Sequence, residues 1–168
     1  NYDFSDTILK GKTQPYKIFR KGNIKVGVFG LGVKLEGLVG KKYYGETKYL
    51  DPVATAQKYA DFLRNTKKCD LVVCLSHLGY DYGQSEDMVS DRKLAAQTHG
   101  IDIILGGHTH TFLTEPNVLK NSKGVNVLVN QVGWAGILLG RIDFYFDKDK
   151  KISKVSFQNQ FIDNKIIV

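Results

Sequence analysis

Alternating and continuous hydrophobic runs predict several strands along the chain. Residues 16–20 and 24–30 have strand-like patterns and flank a Lys-Gly-Asn turn, so they are predicted to be neighbouring strands. Residues 70–76 and 101–105 are almost continuously apolar, which is typical of strands buried on both faces. Residues 125–130 predict one more strand. These segments indicate a sheet with a buried centre.

Two helices are predicted between these strands. Asp51 and Pro52 form an N-cap and first-turn pair. The apolar residues that follow fall on one face at helical spacing: Val53, Ala56, Ala60 and Leu63. Ser90 is predicted to cap a shorter helix that reaches His99 and ends at Gly100. Strands that alternate with helices indicate the α/β class.

The end of the chain predicts an antiparallel hairpin. Residues 137–146 and 152–157 are joined by a charged turn at 147–150, and we expect them to extend the sheet as edge strands. Residues 1–15 predict an irregular lead-in. Because no repeat or linker divides the sequence, residues 1–168 are predicted to form a single domain.

Composition excludes some classes of function. Of the 168 residues, 42% are hydrophobic and 24% charged, which is ordinary for a globular domain. No apolar stretch is long enough to predict a membrane span. The net charge of +7 comes from scattered lysines, which favours a solvated surface over nucleic-acid binding. If Cys69 and Cys74 share a strand, they lie roughly 16 Å apart. That is too far for a disulfide, so both are predicted to be buried thiols.

Three of the four histidines follow two of the buried strands directly. His77 lies in Leu-Ser-His-Leu-Gly, and His108 and His110 lie in Gly-Gly-His-Thr-His. Ligands collect at the carboxyl ends of strands in open α/β sheets, so both segments are expected at one edge. Gly106 and Gly107 are expected to let the chain turn, and in an extended or irregular segment His108 and His110 are expected to project to one side. Imidazole binds zinc, iron, manganese and nickel, so His77, His108 and His110 are predicted metal ligands.

The residues alone leave the role of that metal open. A catalytic zinc often has three protein ligands and an open position. A two-metal hydrolase also needs a bridging carboxylate, and no residue here is an obvious one. Asp81, Asp87, Asp91 and Glu115 are predicted to be solvated loop residues or helix-start charges. His99 is predicted to be a surface or packing residue.

With both histidine segments in view, the sequence resembles the calcineurin-like metallophosphoesterases, and most closely their 5′-nucleotidase branch. Residues 69–79 resemble the family's block that contains a strand and Ser-His-Leu-Gly, and residues 100–111 resemble its last block. Asp51-Pro52 and residues 130–143 resemble the preceding helix start and the late strand pair. The resemblance covers nearly the whole chain. It implies the C-terminal half of a four-layer α/β/β/α metallophosphoesterase sandwich.

The resemblance also implies an activity. The family hydrolyses phosphoesters with two divalent ions (zinc, manganese, iron, cobalt or similar) and metal-activated water. It places His77 and His108 on one ion and His110 on the other, and it implies no further catalytic residue in this chain. A nucleotide or another phosphoester is the implied substrate.

Residues at the end of the strand at 125–130 are candidates for the pocket. Asn130 and Gln131 are predicted to line the substrate pocket, with strand-end hydrogen bonding as the alternative. Trp134 is predicted to pack against the hairpin rather than to stack on a base.

The departures from the family pattern predict a partial domain. The family's Asp-x-His, Gly-Asp and Gly-Asn-His-Glu/Asp blocks are not found in residues 1–168, so the chain is expected to begin after them. Alone it is expected to be inactive, and its partner is expected to be the missing N-terminal half or another copy in an intertwined homo-oligomer. The resemblance implies a periplasmic or exported protein. The alternative to an enzyme is a non-catalytic metal-binding module.

Overall fold

A computed structural model of the chain describes residues 1–83 and 88–162. The strands are β1 (Tyr2–Asp3), β2 (Tyr16–Lys21), β3 (Ile24–Gly32), β4 (Lys48–Tyr49), β5 (Leu71–His77), β6 (Ile103–Leu105), β7 (Asn117–Lys120), β8 (Asn126–Asn130), β9 (Leu138–Phe146) and β10 (Ile152–Phe161). The helices are α1 (Lys41–Tyr44), α2 (Pro52–Asp61), which continues as a π-helical turn over Phe62–Thr66, and α3 (Asp91–Gln97).

Six strands form the central sheet, in the order β2-β3-β5-β6-β8-β7. The inner strands β3, β5, β6 and β8 are parallel, and the outer strands β2 and β7 pair antiparallel. This mixed sheet confirms the predicted α/β class. Leu75 pairs with Leu105, so β5 and β6 end side by side.

The helices cover one face of this sheet as the sequence predicts. Asp51 caps α2 by accepting a hydrogen bond from the amide of Ala54 at 2.6 Å, and Ser90 caps α3. Their apolar faces join the strands in one core. Its fully buried members include Ala56, Ala60, Leu63, Val72, Cys74, Leu94, Ile104 and Val129.

The opposite face corrects the prediction that β5 and β6 are buried on both sides. Val72 and Cys74 belong to the helix-covered core and are fully buried. Leu75 is 49% exposed and Leu105 is 37% exposed. The reason is that α2 and α3 both lie on one side, and the other side is only partly covered.

The terminal hairpin provides that partial cover, which corrects its predicted place at the sheet edge. Strands β9 and β10 form a separate two-stranded sheet, and the described edge strands are β2 and β7. The alternating apolar residues of β9 face the second face of the large sheet. A cavity of about 300 Å³ between them is lined by Leu71, Val73, Ile103, Leu105, Gly140, Ile142 and Phe144.

Smaller differences concern segments predicted to be irregular. The lead-in contains β1, which pairs antiparallel with β4, and α1 is a single turn in the loop after β3. Strand β7 was not predicted, because its four residues of mixed polarity show too short an alternation to indicate a strand. Cys69 and Cys74 are free and buried, as predicted. None of the described helices has the length and apolar character needed to cross a membrane.

A largely buried ion pair fastens the amino-terminal ends of β5 and β6. The guanidinium of Arg64 donates to the carbonyl oxygens of Cys69 at 3.1 Å and Asp70 at 2.9 Å, and it pairs with the Asp102 carboxylate. Asp102 also accepts from the amide of Val72 at 2.6 Å. Burial raises the pKa of Asp102, and the Arg64 charge acts against that rise. We call this edge of the sheet the base.

Candidate metal centre

Two imidazole rings meet at the carboxyl edge of the sheet, opposite the base. His77 is the last residue of β5, and His108 lies in the loop after β6. Their ring centroids are 5.2 Å apart, with the ring planes at 67°. The parallel pairing of β5 and β6 produces this approach, as the order of strands predicts.

The loop that carries His108 and His110 has a left-handed backbone. His108 has a φ of 78° and His110 a φ of 54°, which are uncommon values for residues with a side chain. The segment is therefore irregular rather than extended. Strain of this kind persists where the surrounding structure fixes it, and it concentrates at functional sites.

The two glycines before His108 serve close packing. Neither Gly106 nor Gly107 lies in the left-handed region, so the turn is made by the histidines themselves. A Cβ at Gly107 would lie 3.0 Å from Nδ1 of His77, and a Cβ at Gly106 would collide with the Asp91 carboxylate. Gly106 therefore needs glycine, and a side chain at Gly107 would press on the His77 ring.

His110 turns to a different neighbour. Its ring stacks on Trp134 at 5.7 Å between centroids and 17° between planes. Trp134 therefore lies beside His110. It is 56% exposed, which is more than the predicted packing against the hairpin would leave. Within residues 1–83 and 88–162, no three His, Cys, Asp or Glu side chains are placed to hold one ion. The structure thus shows a pair of imidazoles and a third beside it.

The electrostatic setting favours the neutral form of His108. Burial lowers the pKa of His108 first, and the neighbouring charges of His77 and His110 lower it further. A neutral imidazole offers a lone pair, which is the form that a metal ion binds. The donor type, the pairing and the lowered pKa fit a divalent ion held partly by this chain. Metal binding by these histidines stays a prediction.

The carboxylates divide into two kinds. Asp81 forms an ion pair with Arg92 at 2.7 Å, and Glu115 is exposed, which matches their predicted place in solvated loops. Asp87 lies outside the described residues. Asp91 begins α3 as predicted, but it is fully buried, which the sequence prediction did not include.

Asp91 sits behind the two histidine-bearing strand ends. Its Oδ1 accepts from the hydroxyl of Ser76 at 2.5 Å, and its Oδ2 has no hydrogen-bond partner among the described residues. Burial raises the pKa of Asp91 to about 7, and the bond from Ser76 opposes the rise. The helical spacing to Leu94 and Ala95 was the available signal, because it places Asp91 on the buried face.

Asn130 and Gln131 are buried to 4% and 1% exposure. Asn130 exchanges hydrogen bonds with Asn159 of β10, at 3.3 and 3.4 Å, and so ties the hairpin to β8. Gln131 bonds to the loop that carries His108 and His110. Their predicted contact with substrate stays a prediction.

Comparison with known proteins agrees with this architecture. The sequence model of the family described as Calcineurin-like phosphoesterase matches residues 1–112, which is more than half of the chain. The chain belongs to the calcineurin-like phosphoesterase family. The resemblance predicted from the histidine segments is thereby confirmed.

Individual relatives carry the names of nucleotide hydrolases. A 5′-nucleotidase precursor from Thermus thermophilus superposes with a TM-score of 0.77 at 30% identity, over 96% of this chain and 32% of that one. A snake venom 5′-nucleotidase from Gloydius brevicauda is 31% identical over 88% of this chain and 26% of the relative. An apyrase from Tabanus yao is 25% identical over 98% of this chain and 30% of the relative. The chain therefore spans about a third of the length of these proteins or less.

Proposed function

We propose that this chain supplies part of the two-metal centre of a 5′-nucleotidase-like phosphoester hydrolase. The observation that carries the proposal is the pair of imidazoles at 5.2 Å on adjacent parallel strand ends. Family membership supports it, because calcineurin-like phosphoesterases are hydrolases. The names of the relatives support a nucleotide as substrate.

In this proposal His77 and His108 hold one divalent ion, and His110 contributes to a second. The ring of His110 stacks on Trp134, while the rings of His77 and His108 contact each other, which supports assigning His110 to the other ion. Divalent ions supply Lewis-acid stabilisation of phosphate charge and lower the pKa of bound water. The chain itself presents imidazoles from the end of β5 and from the loop after β6, and the proposal needs no protein nucleophile.

The proposal assigns the remaining metal ligands to residues outside 1–168 or to an intertwined second copy. Two observations support this. Among the described residues no group of three candidate ligands surrounds one point, and the sheet face with Leu75 and Leu105 is partly exposed. Residues 1–168 alone are then expected to hydrolyse little substrate. Export is part of the same proposal, supported by the relative named for snake venom.

Asn130 and Gln131 are retained as candidate substrate-pocket residues. Their position at the end of β8, beside the histidine loop, supports that assignment.

The test is hydrolysis of a nucleoside monophosphate by the intact protein that contains this chain. We expect a chelator to abolish phosphate release, and Mn²⁺ or Zn²⁺ to restore it. We also expect His77→Ala to lower the rate at every metal concentration. Hydrolysis that persists after chelation and in His77→Ala contradicts the proposal. Metal binding that needs His77 and His108, without any phosphoester hydrolysis, favours the non-catalytic metal-binding module.

A further inference from the structure

The buried amide of Gln131 lies against the loop between residues 107 and 111. Gln131 follows β8 and is 1% exposed. Its Nε2 donates to the carbonyl oxygen of Gly107 at 2.7 Å. Its Oε1 accepts from the hydroxyl of Thr109 at 3.0 Å and from the amide of Thr111. One side chain therefore contacts the loop at three successive odd positions.

These contacts alternate with the two histidines. His108 lies between Gly107 and Thr109, and His110 lies between Thr109 and Thr111. Both histidines have a left-handed backbone, which residues with a Cβ adopt only when neighbouring contacts hold it. The amide of Gln131 supplies such contacts on each side of each histidine.

The same network reaches the end of β5. Thr109 Oγ1, which donates to Gln131, also accepts from the amide of Tyr80 at 2.9 Å. Tyr80 lies three residues after His77. A chain of hydrogen bonds therefore joins the segments that follow β5, β6 and β8, and Gln131 is its buried centre.

We propose that Gln131 is a positioning residue, whose amide fixes the 107–111 loop and thereby sets the direction of His108 and His110. This inference rests on the proposed function, since it concerns the same metal centre. The two acceptor bonds at Oε1 occupy both lone-pair positions of that oxygen. Gln131 therefore acts on the metal ligands through the loop.

The experiment compares Gln131→Met with wild type in the intact protein, with Co²⁺ as the probe. Methionine keeps the length and burial of the side chain and removes all three hydrogen bonds. We expect Co²⁺ affinity, measured by calorimetry, to fall about tenfold, as for other residues that orient metal ligands. We also expect the visible absorption bands of bound Co²⁺ to shift, because the imidazoles change direction.

Asn121→Ala is the matched control. Asn121 is a buried amide at the opposite end of β8, where its Oδ1 accepts from the amides of Lys123 at 2.9 Å and Val125 at 3.0 Å. It holds a turn in the same way but far from the histidines. We expect its loss to lower the melting temperature and to leave Co²⁺ affinity and absorption unchanged.

Thr109→Val tests the network without changing Gln131. Valine keeps the shape of threonine and removes the hydroxyl that joins Tyr80 to Gln131. We expect a smaller loss of Co²⁺ affinity than in Gln131→Met. In the double variant we expect a loss smaller than the sum of the two single losses, because both changes break one network.

The outcomes separate this inference from the proposed function. If Gln131→Met lowers the melting temperature as Asn121→Ala does, with Co²⁺ affinity and spectrum unchanged, Gln131 is a structural residue only and the inference fails. Should Gln131→Met not fold, Thr109→Val decides, and an unchanged Co²⁺ affinity and spectrum in that variant would overturn the inference. If wild type binds no Co²⁺ that depends on His108, both the inference and the proposed function fail.

Discussion

The buried polar groups at the two edges of the central sheet differ in their hydrogen bonding. At the base, Arg64 and Asp102 satisfy each other and bond to backbone groups of the neighbouring strands. At the carboxyl edge, Asp91 keeps an oxygen without a described partner, and His108 and His110 hold a left-handed backbone. Fully partnered buried groups stabilise a fold, whereas unpartnered and strained groups collect at functional sites. The contrast distinguishes the edge that holds the strands together from the edge that carries the candidate metal centre.

The histidines show the same contrast. His99 lies near the base, where its amide donates to Gln57 at 2.9 Å and its Nδ1 lies 3.2 Å from Nε2 of Gln57. It is tied to α2, as its predicted packing role requires. His77 and His108 instead face each other at the other edge.

The largest expected effect is the loss of His108. We expect His108→Ala in the intact protein to lower phosphoester hydrolysis on the order of a thousandfold, since metal stabilisation of the transition state amounts to several kcal/mol. His99→Ala is the control, with an unchanged rate expected. Phosphate release measured at saturating metal decides between them. Equal rates in His108→Ala and wild type would remove the enzyme interpretation.

A substitution at the base should change the stability of the fold and leave metal affinity unchanged. Arg64→Met leaves Asp102 largely buried without its partner, and we expect it to lower the free energy of unfolding by about 3 kcal/mol. Part of that loss should return in Arg64→Met with Asp102→Asn, which removes the unpaired charge. Urea denaturation measures the stability, and Co²⁺ titration should give an unchanged affinity. A weaker Co²⁺ affinity would show that the two edges are coupled.

At the carboxyl edge, Asp91 should make the stability of the chain depend on pH. The pKa of Asp91 is raised to about 7 in the folded chain, so the folded state holds a proton that the unfolded state releases near its ordinary value of 3.8. Stability should therefore fall as pH rises from about 5 to about 8, and the expected loss is about 2 to 3 kcal/mol.

Asp91→Asn supplies the comparison, because its amide does not titrate. We expect the difference in unfolding free energy between Asp91→Asn and wild type to grow in favour of the variant as pH rises. Urea denaturation at the two ends of that pH range measures it. A difference that does not vary with pH would mean that Asp91 is ionised throughout this range.

The smallest expected effect is at Trp134. A stacked aromatic pair contributes about 0.5–1.5 kcal/mol, so Trp134→Ala should weaken Co²⁺ affinity by only a few-fold. Trp134→Phe keeps a ring next to His110 and should recover most of the loss. Calorimetric titration of both variants tests this, and identical affinities in the Ala and Phe variants would show that stacking does not orient His110.

Much of the fold was predictable from local sequence. The caps at Asp51 and Ser90, the helical face ending at Leu63 and the strands at 70–76 and 101–105 all have patterns that depend on a few neighbouring residues. Parallel strands with intervening helices must end at a common edge, so the meeting of His77 and His108 also followed.

Long-range packing decided the rest. Alternation in residues 137–146 predicts a strand with an apolar face, but which surface it covers depends on where the helices leave the sheet open. The burial of Asp91, the left-handed backbone of His108 and the contacts of Gln131 arise from segments brought together only in the folded chain. Local sequence thus determined the secondary-structure elements and the identity of the candidate metal ligands. Tertiary structure determined their orientation, because the hydrogen bonds that orient them join residues about 15 to 30 positions apart.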